Sequence, residues 1–549
     1  MDAHIGSLLE SIADLVAEVE PGRIAIVQGA RQRSWADFEA RSSALAGHLA
    51  QCGVTAGACV GIGLYNSIEY FEALLATFKL GAVPININYR YRDRELEQVL
   101  TYTGTVAVVV DDTLRESMGR VATHIGLRAV VVVGGDARQV RDDPVSTDYE
   151  QALAATRLAR RAHDPSDRVI MLTGGTTGTP KGVVWTHSGA GTVVLSTHRR
   201  MGLDIPVDHE QVVALARAQL SAGTAPTVLP ASPLMHGTGF FSTIGNLLLA
   251  GRVVCLPGRS FDAAALWSEV ERHRVDEIAI VGNAFAWPMV DALERAENSG
   301  APYDISSLRR VVSSGMPWSV DAKEKFLAAG NMTLHDSISS TEGGPYAVSI
   351  VGTSDSPRDF GFRLPANARL IGSDGAIVEA GSGEAGLLAS CGNLPLGYLD
   401  DPAMTAAVFR EIDGVRFAVP GDVAAVAGDG TLVFLGRGAG VINTGGEKVF
   451  TEEVEAALVG HPDVQDAVVV GMPDERWGSR IIALVRLVDG RVATQEELSS
   501  YVGRTLAAYK RPRRIFFVES VERNISGKID RARAKQRAEE LISRVESRD

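Results

Sequence analysis

Short apolar runs alternate with stretches of helical periodicity through most of the chain. Continuous apolar runs of about four to eight residues are typical of strands buried in a sheet, whereas a repeat at i, i+3, i+4 and i+7 is typical of helices. In the first part of the chain the predicted strands are 23–28, 59–64, 83–87, 106–111 and 129–133, and the predicted helices are 35–49 and 67–80. This alternation predicts mostly parallel sheets covered by helices.

The pattern continues to about residue 338 and then changes. A second α/β block has predicted strands at 253–256, 277–281, 310–312 and 332–335, after a charged segment, 136–167, that is expected to cross the surface. Beyond Glu342, short strands at 366–371, 386–390 and 431–435 are separated by Gly, Asp and Pro turns, which predicts a small antiparallel barrel or sheet.

The last part of the chain has a compact α+β pattern. Helices are predicted at 451–458 and 495–506, strands at 466–470, 481–488 and 514–518, and a charged helix from Arg531 onward. The glycine-rich segment 436–440 suits a hinge. We therefore predict an α/β fold: a large N-terminal domain, 1–436, of parallel-type sheets covered by helices with a small β-barrel-like subdomain, and a smaller, mobile α+β domain, 437–549.

Length and charge narrow the function classes. A chain of 549 residues exceeds one hydrophobic core, so at least two domains are expected. The formal net charge of -13 argues against a nucleic-acid partner, which would require a basic surface. The sequence has no run of about twenty apolar residues, the length needed to span a membrane. The N-terminus lacks the basic region leading into an apolar stretch that is typical of a secretory signal. The four cysteines have no ligand or disulfide spacing, so a soluble, cytoplasmic protein is expected.

A loop rich in glycine and threonine is the most informative segment. It follows the apolar run 169–172, which predicts a strand. Glycines let backbone N–H groups crowd around an anion, and threonine hydroxyls and a lysine add donors and charge. The residues of this candidate anion site are Thr173, Gly174, Gly175, Thr176, Thr177, Gly178 and Lys181. The expected guest carries several phosphate oxygens.

This loop differs from a Walker A loop. That motif requires glycine before its lysine and Ser or Thr after it, whereas here Pro180 precedes Lys181 and Gly182 follows. A P-loop NTPase is therefore not expected. The alternative interpretation is a solvated surface turn.

The loop resembles the phosphate-binding signature of the adenylate-forming superfamily, which includes acyl-CoA synthetases, peptide-synthetase adenylation domains and beetle luciferases. Segments resembling the superfamily's later motifs follow in the expected order over nearly the whole chain: 336–342, 420–422, 436–437, 443–449 and 523–531. The resemblance implies activation of a carboxylic acid by ATP. That chemistry requires a phosphate cradle, a divalent cation, a grip on adenosine, and a cation at the reacting centre.

The resemblance supplies a residue for each requirement. It implies that Glu342 holds Mg²⁺, which prefers hard oxygen ligands, and that Thr341 contacts phosphate. Asp422 would accept hydrogen bonds from the ribose hydroxyls, and Arg437 would contact the nucleotide. Lys528 would be the catalytic lysine, bridging the carboxylate and the α-phosphate; Thr173 joins Glu342 and Lys528 in the catalytic set. The adenine site would be formed by Ser313, Ser314, Gly315, Asp336, Ser337 and Ile338.

Other interpretations of these residues remain open. Thr341 and Glu342 alone would also suit a helix or turn start with a capping threonine, and Gly421–Asp422 would suit a turn. Lys528 alone would be an ordinary surface lysine. The chain also departs from the family pattern: Ile338 and Ser339 replace an aromatic residue and a glycine, and Ala439 stands where the hinge aspartate is usual.

Two further segments concern coenzyme A, the molecule that would accept the activated acyl group. Residues 443–449 resemble the segment that lines the pantetheine tunnel of CoA ligases, where paired glycines admit a thin chain; a hairpin-like turn is the alternative. The basic run 509–514 adds positive charge suited to CoA phosphates, although such runs are usually solvated. The predicted CoA-binding residues are Gly445, Gly446, Glu447, Lys448 and Arg511.

The acyl site is predicted from the segment 233–239, which resembles the region flanking the acyl pocket of the superfamily. His236 would be a wall or gate residue, although a structural histidine is an equally good interpretation. Other predicted acid-binding residues are Gly237, Asn283, Phe285, Gly315 and Met316, with Trp287 a further candidate. Small residues around Gly237 and Gly239 leave room for a sizeable apolar acid.

These resemblances predict an ATP-dependent, AMP-forming acyl-CoA ligase that uses Mg²⁺ and coenzyme A. The sequence is most similar in detail to actinobacterial fatty-acid–CoA ligases, some of which act on sterol side-chain acids. One alternative is an acyl-AMP ligase that loads a separate carrier protein. Another is a non-catalytic nucleotide- or acyl-binding homologue, since fold does not fix function. A homodimer stays open.

Overall fold

The computed structural model describes residues 3–135, 146–173, 180–316, 318–355, 360–372, 374–379, 381–437, 441–521 and 531–546. The chain divides into two units. The larger comprises Met1–Tyr89, Leu100–Leu172 and Gly182–Leu435, and the smaller comprises Arg90–Val99, Thr173–Lys181 and Gly436–Asp549. The domain ranges 1–436 and 437–549 inferred from the sequence remain a prediction.

The helices are numbered in chain order. They are α1 Ile5–Val19, α2 Trp35–Gln51, α3 Ile68–Leu80, α4 Asp93–Tyr102, α5 Arg115–Ile125, α6 Tyr149–Ala152, α7 His187–Arg200, α8 His209–Ala222, α9 Gly237–Leu247, α10 Ala263–His273, α11 Asn283–Asn298, α12 Val320–Ala329, α13 Pro402–Val408, α14 Thr451–Val459, α15 Gln495–Thr505 and α16 Arg531–Glu546. Short 3₁₀ turns cover Asp112–Leu114 and Ala508–Lys510.

The strands are numbered in the same way. In the larger unit they include β1 Ile24–Gln28, β2 Arg31–Ser34, β3 Cys59–Gly63, β4 Val83–Asn86, β5 Thr105–Asp111, β6 Ala129–Val133, β7 Ser146–Asp148, β8 Arg168–Thr173, β9 Lys181–Thr186, β10 Thr227–Pro230, β11 Arg252–Cys255, β12 Glu277–Ile280, β13 Arg310–Ser314, β14 Thr333–Ser340 and β15 Gly343–Gly352. There follow β16 Ala368–Ile371, β17 Ala385–Cys391, β18 Gly397–Tyr398, β19 Phe409–Ile412, β20 Val415–Ala418, β21 Asp422–Val426, β22 Leu432–Arg437, β23 Val441–Thr444, β24 Glu447–Phe450, β25 Val464–Asp474, β26 Gly478–Leu487 and β27 Arg514–Phe517.

In the described residues, two eight-stranded sheets form the framework of the larger unit. The first has the order β15-β14-β13-β12-β10-β11-β1-β2, and the second has the order β18-β9-β8-β4-β3-β5-β6-β7. Parallel pairing runs through the interior of the first sheet, from β1 to β14, with antiparallel β15 and β2 at its edges. Such sheets bury both faces, which explains the continuous apolar runs seen in the sequence.

Local signals set the ends of the covering helices. The Ser67 hydroxyl accepts a hydrogen bond from the Tyr70 N–H at 3.2 Å and so caps α3 at its start. Gly81 ends the same helix at φ 65°, where a residue with a Cβ would be strained. Every residue of α3 is buried, because this helix lies in the main core, which also contains Trp35, Phe38 and Trp185.

A third sheet has the order β19-β20-β17-β21-β22, with β16 paired to β17. Its β16–β17, β17–β20, β17–β21 and β19–β20 pairs are antiparallel. This sheet occupies the part of the chain for which a barrel-like subdomain was predicted.

The smaller unit contains the β23–β24 hairpin and the three-stranded β25–β26–β27 sheet. Helix α15 begins with a capping box, in which Thr494 and Glu497 each satisfy the other's backbone N–H. The hydrophobic core of the smaller unit includes Val449, Val454, Leu458, Ala483 and Leu498. The α+β character predicted for this segment is confirmed, as is the mixed α/β class of the whole chain.

Two parts of the predicted layout need comment. The charged segment 136–167 contains β7 and α6 in its described part, whereas residues 136–145 lie outside the described residues. Of the predicted hinge 436–440, residues 438–440, with Ala439, also lie outside them. Among the described helices, none combines the length and apolar character needed to cross a bilayer.

Candidate active site

The first sheet gathers several predicted site residues at one edge. Strands β10, β12, β13 and β14 are neighbours and run parallel, so the segments that follow them leave the sheet on the same side. Ligands of open α/β sheets bind at this carboxyl edge. The segments that follow β10, β12 and β13 carry His236, Asn283 and Gly315, respectively.

The loop after β10 leads directly into α9, which begins at Gly237 with His236 as its N-cap residue. His236 is half-buried. A Cβ on Gly239 would lie 2.7 Å from the Pro233 carbonyl oxygen. Glycine is therefore required at this position, because the loop and the helix approach each other too closely for a side chain.

The start of α11, which follows β12, is tied to the start of α12 by polar contacts. The Asn283 side-chain carbonyl accepts hydrogen bonds from the Ser319 N–H at 2.9 Å and hydroxyl at 3.1 Å. Asn283 thus orders the start of α12 and has a structural role besides any contact with an acid. Phe285 packs edge-on against Phe261, with ring centroids 4.8 Å apart. Phe285 and Trp287 both pack against the hydrophobic core that contains Trp267 and Phe326.

Serine side chains link the ends of β12, β13 and β14. The Gly282 N–H donates to the Ser313 hydroxyl at 3.0 Å, and the Ser314 hydroxyl donates to the Ser337 carbonyl at 2.9 Å. Gly315 follows at φ 90° with an otherwise open Cβ position, and Met316 is buried. The predicted adenine and acid residues on β13 therefore stand beside those on β14.

Asp336 has a buried ion-pair partner that the sequence did not reveal. Its carboxylate lies 2.8 Å from the Lys323 ammonium, and both side chains are buried. Burial raises the pKa of Asp336, and the Lys323 charge opposes that rise. The Lys323 ammonium also lies over the rings of Trp318 and Phe362. Asp336 therefore ties β14 to α12, while Ile338 packs on the core of the third sheet.

Thr341 and Glu342 form the tight turn between β14 and β15. Ser340 and Gly343 pair across the turn, and the Glu342 N–H donates to the Ser340 hydroxyl at 3.2 Å. Gly343 follows at φ 159°, and a Cβ there would lie 2.9 Å from the Ser390 hydroxyl. The Glu342 side chain is only 3% exposed, so the turn presents a carboxylate inside the protein.

Two aromatic residues that the sequence analysis missed contact this turn. The Tyr398 hydroxyl donates to Glu342 Oε1 at 2.6 Å, and the Trp185 indole N–H donates to the Thr341 carbonyl at 3.1 Å. No spacing pattern links these positions to Glu342 in the sequence. Tyr346, whose pKa is raised by burial and by the nearby Glu342 charge, pairs with the Ser340 hydroxyl at 3.0 Å.

The predicted ribose residue begins a strand of the third sheet. Asp422 is buried at the start of β21, directly after Gly421 at φ 104°. Arg437 ends β22, and its side chain lies outside the described residues.

The predicted phosphate loop is described only at its ends. Thr173 is buried at the end of β8, and Lys181 is half-buried at the start of β9. The remaining predicted positions lie outside the described residues: Gly174, Gly175, Thr176, Thr177, Gly178 and Lys528.

In the smaller unit, Gly445 and Gly446 form the two-residue turn of the β23–β24 hairpin. Their φ values are 58° and 84°, the left-handed conformation that such turns require. The Gly445 N–H donates to the Trp477 carbonyl at 3.0 Å, and a Cβ on Gly445 would lie 2.8 Å from the Trp477 ring. The hairpin alternative is thus what the structure contains, and this conformation is compatible with a binding role.

A buried carboxylate lies on the strand that follows this turn. Glu447 pairs across it with Thr444, whereas Lys448 pairs with Asn443, and the Glu447 carboxylate lies 3.6 Å from the Arg90 guanidinium.

Two residues of the basic run 509–514 face inward rather than toward solvent. The Lys510 ammonium donates to both Glu95 and Glu453 at 2.9 Å. Burial alone would lower the pKa of Lys510, but the two carboxylates raise it. The Arg511 guanidinium lies against Gly503 of α15, where any Cβ would overlap it.

Comparison with known proteins identifies the family. The model of the family described as "AMP-binding enzyme" matches residues 14–397, and that of the "AMP-binding enzyme C-terminal domain" matches residues 453–528. The chain belongs to the AMP-binding enzyme family.

Relatives of this AMP-binding enzyme span nearly its whole length. It is 37% identical to a 3-oxocholest-4-en-26-oate–CoA ligase of Rhodococcus rhodochrous, over 96% of this chain and 95% of the relative. It is 36% identical to a medium/long-chain-fatty-acid–CoA/3-oxocholest-4-en-26-oate–CoA ligase of Mycobacterium tuberculosis, over 98% and 96%. It is also 34% identical to a medium-chain acyl-CoA ligase of Mycobacterium avium, over 98% and 99%.

Solved structures support the fold. An amide bond synthetase of Marinactinospora thermotolerans matches with a TM-score of 0.76 at 23% identity, over 96% of this chain and 99% of that one. The o-succinylbenzoate CoA synthetase of Bacillus subtilis matches with a TM-score of 0.75 at 22% identity, over 96% and 98%. The α/β architecture of the AMP-binding enzymes is therefore confirmed for this chain.

The donor chemistry at Glu342 fits a magnesium ion. In the described residues, no group of three or more His, Cys, Asp or Glu side chains could hold a metal. Proteins commonly hold Mg²⁺ through one or two carboxylates together with substrate phosphates and water. The buried Glu342 carboxylate supplies a hard oxygen donor of this kind in an enzyme that binds a nucleotide.

Proposed function

We propose that this AMP-binding enzyme is an ATP-dependent, AMP-forming acyl-CoA ligase that acts on an apolar carboxylic acid, either a fatty acid or a sterol side-chain acid. The observation that carries the proposal is the Thr341–Glu342 turn, which presents a buried carboxylate at the end of β14 in a chain of this family. The relatives, whose names specify CoA ligation of fatty acids and a sterol acid, support the choice of acceptor and acid.

In the first half-reaction, the acid carboxylate attacks the α-phosphate of ATP, the bond to the pyrophosphate breaks, and an acyl-adenylate forms. Thr173, Lys181 and Thr341 would bind the phosphates, and Lys528 would stabilise the charge that shifts between carboxylate and α-phosphate. Asp422 would hold the ribose. Ser314, Gly315 and Ser337 would form a wall of the adenine site.

We propose magnesium as the metal and Glu342 as the residue that would hold it. Bound there, Mg²⁺ would neutralise part of the triphosphate charge. The contribution of the protein is to keep the Glu342 carboxylate buried and in one orientation.

In the second half-reaction, the CoA thiolate attacks the acyl carbonyl and AMP leaves. The Gly445–Gly446 turn supports a role here, because a backbone without side chains lets a narrow pantetheine chain approach closely. Glu447 and Lys448 flank the turn. Arg511 is a weaker candidate for phosphate contact, since its guanidinium packs against Gly503.

The acid would bind among the segments that follow β10, β12 and β13. Phe285 and Met316 supply apolar surface, and Gly237 and Gly239 keep that region free of side-chain bulk. His236 and Asn283 are the polar candidates. The cysteines at positions 52, 59, 255 and 391 are not disulfide-bonded, which suits a reducing compartment, and we propose a cytoplasmic location.

The test is AMP release with a panel of acids. Purified enzyme, ATP, Mg²⁺ and CoA are incubated with fatty acids of short, medium and long chain and with steroid acids carrying a side-chain carboxylate. We expect AMP and acyl-CoA in equal amounts with at least one apolar acid. Acyl-adenylate without thioester would favour the carrier-loading alternative, and no AMP with any acid would favour the non-catalytic alternative.

A further inference from the structure

The Tyr398 hydroxyl makes a direct, short contact with the proposed metal-binding carboxylate. Its oxygen lies 2.6 Å from Glu342 Oε1 and donates the hydrogen bond. Hydrogen bonds from a hydroxyl to a carboxylate at this distance are among the stronger ones in proteins. The bond engages one carboxylate oxygen and so limits rotation of the carboxylate about its terminal torsion.

The backbone of Tyr398 is itself fixed from two sides. As part of the two-residue strand β18, it pairs antiparallel with Val183 of β9. Its N–H donates to the Thr405 hydroxyl of α13 at 2.9 Å. Its ring packs against Phe409, with centroids 6.0 Å apart. A side chain held in this way can impose its orientation on a partner.

Strand β9 also holds the other residue of the turn. The Trp185 indole, which is 2% exposed, donates to the Thr341 carbonyl at 3.1 Å, and its ring meets Phe241 edge-on at 6.2 Å. Thr341 and Glu342 are therefore both fixed by side chains from one pair of strands, β9 and β18. The same β9 begins at Lys181, the last residue of the predicted phosphate loop.

We propose that Tyr398 is a positioning residue for nucleotide activation: its hydroxyl sets the orientation of the Glu342 carboxylate, and the β9–β18 pair, through Trp185, fixes the backbone of the turn. This inference rests on the proposed metal-binding role of Glu342. The physical reason is that a carboxylate held before the ligand arrives does not lose rotational freedom on binding. Residues that orient a metal ligand are often nearly as important as the ligand itself.

The test compares ATP binding with and without magnesium in Tyr398→Phe, which removes the hydroxyl and keeps the ring. Calorimetric titration gives the Kd of ATP in Mg²⁺ and in EDTA. We expect the magnesium-dependent gain in ATP affinity to fall by about 10- to 100-fold, with the EDTA value unchanged. The rate of pyrophosphate exchange should fall by a similar factor.

Tyr149→Phe is the matched control. The Tyr149 hydroxyl also donates to a buried carboxylate, Glu72, at 2.7 Å, but this pair lies at α6 and α3, outside the proposed site. The control variant should keep the wild-type Kd values in both conditions. If Tyr149→Phe reproduced the loss seen in Tyr398→Phe, the effect would be a general cost of removing such a bond, and the proposal would be overturned.

A double variant distinguishes action through Glu342 from a separate effect. Glu342→Gln should abolish the magnesium-dependent gain, and adding Tyr398→Phe to it should change little, because residues that act as one unit are not additive. Fully additive effects, or an equal loss of ATP affinity in EDTA, would overturn the positioning role.

Failure of this inference is distinguishable from failure of the proposed function. If the wild-type enzyme forms acyl-CoA and Glu342→Gln loses magnesium dependence while Tyr398→Phe does not, only the positioning role is wrong. If no acid yields AMP, the function itself is wrong. Trp185→Phe provides a second measurement: it should raise the Mg²⁺ concentration for half-maximal exchange, and an unchanged value would refute the contribution of β9.

Discussion

Two tight hairpin turns, one in each unit of the chain, are assigned to the two halves of the proposed reaction, and they differ in what they offer. Between β14 and β15, the Thr341–Glu342 turn offers a side chain, a buried carboxylate bonded to Tyr398. Between β23 and β24, the Gly445–Gly446 turn has no side chains, and the Trp477 ring lies against Gly445.

The difference teaches what each half-reaction demands of the protein. Formation of the adenylate needs charge and oxygen ligands in fixed positions, so its turn depends on a functional group and on the residues that hold it. Transfer to CoA needs a passage for a thin chain, so its turn depends on the absence of side chains. Substitutions in the two turns should therefore fail in different ways.

The largest expected effect is at the glycine turn. Gly446→Trp should block transfer from acyl-adenylate to CoA, because the indole would occupy the space beside the turn, and should leave pyrophosphate exchange intact. Single-turnover assays of the two half-reactions measure this. Gly490→Trp is the control, since Gly490 also has a positive φ, 77°, but has open space around it. Loss of exchange in a folded Gly446→Trp protein would contradict the comparison.

The second prediction tests whether a residue of the smaller unit can act in the first half-reaction, although the glycine turn of that unit is assigned to the second. Lys528 belongs to the same unit as the glycine turn, yet the proposed mechanism assigns it to the first half-reaction. Lys528→Ala should lower the adenylation rate by about 10²- to 10³-fold, the loss expected for one preorganised charge. Thioester formation from supplied acyl-adenylate should survive. The exposed Lys535→Ala serves as control, and equal loss of both half-reactions would remove the assigned role.

The third prediction concerns the carboxylate turn. Glu342→Gln keeps the shape of the side chain and removes its charge, so adenylation should slow by about 10²-fold with much of the loss in magnesium dependence. Initial rates measured over a range of Mg²⁺ concentrations check this. Glu411→Gln, an exposed residue of β19, should behave as wild type. A Glu342→Gln enzyme with an unaltered magnesium requirement would argue against Glu342 as the metal residue.

The smallest expected effect is on stability, where two glycine-to-alanine variants distinguish backbone strain from steric crowding at the glycine turn. Gly445→Ala should destabilise the smaller unit by about 2–3 kcal/mol, combining the cost of positive φ for an L-residue with displacement of Trp477. Gly490→Ala carries only the first cost, about 1–2 kcal/mol. Urea unfolding of both variants gives the difference. Equal destabilisation would mean that the Trp477 ring yields freely to the new methyl group.

The strands of the two large sheets could be predicted well, because strands buried on both faces consist of continuous apolar runs that are easily recognised in a sequence. The valines and isoleucines of β5, β6 and β12 are continuous apolar runs, and each was predicted nearly to its ends. Strand β14 was predicted only as far as His335, although it extends to Ser340. Its last residues include three serines, of which Ser337 donates to the Ser313 carbonyl of β13 and Ser340 pairs with the Tyr346 hydroxyl of β15. Because these residues are polar, the hydrophobic pattern gave no signal of a strand.

Partners of the site residues were the least predictable feature. Tyr398 meets Glu342 across 56 positions of sequence, and a two-residue strand such as β18 has no detectable periodicity. Lys510 lies in a basic run that resembles a solvated surface, but its ammonium is buried between Glu95 and Glu453. Both contacts depend on tertiary packing, which local patterns do not contain.

The parallel order of β10, β12, β13 and β14 has a practical consequence for engineering. Each strand delivers its own loop to the common edge, so the stretches that follow β10 and β12 are separate segments of the chain from the hairpin that ends β14. Chimeras carrying those two loops from another acyl-activating enzyme should change which acid is accepted while retaining the parent's dependence on ATP and magnesium. Preference for the acid and handling of the nucleotide are then independent modules of one scaffold.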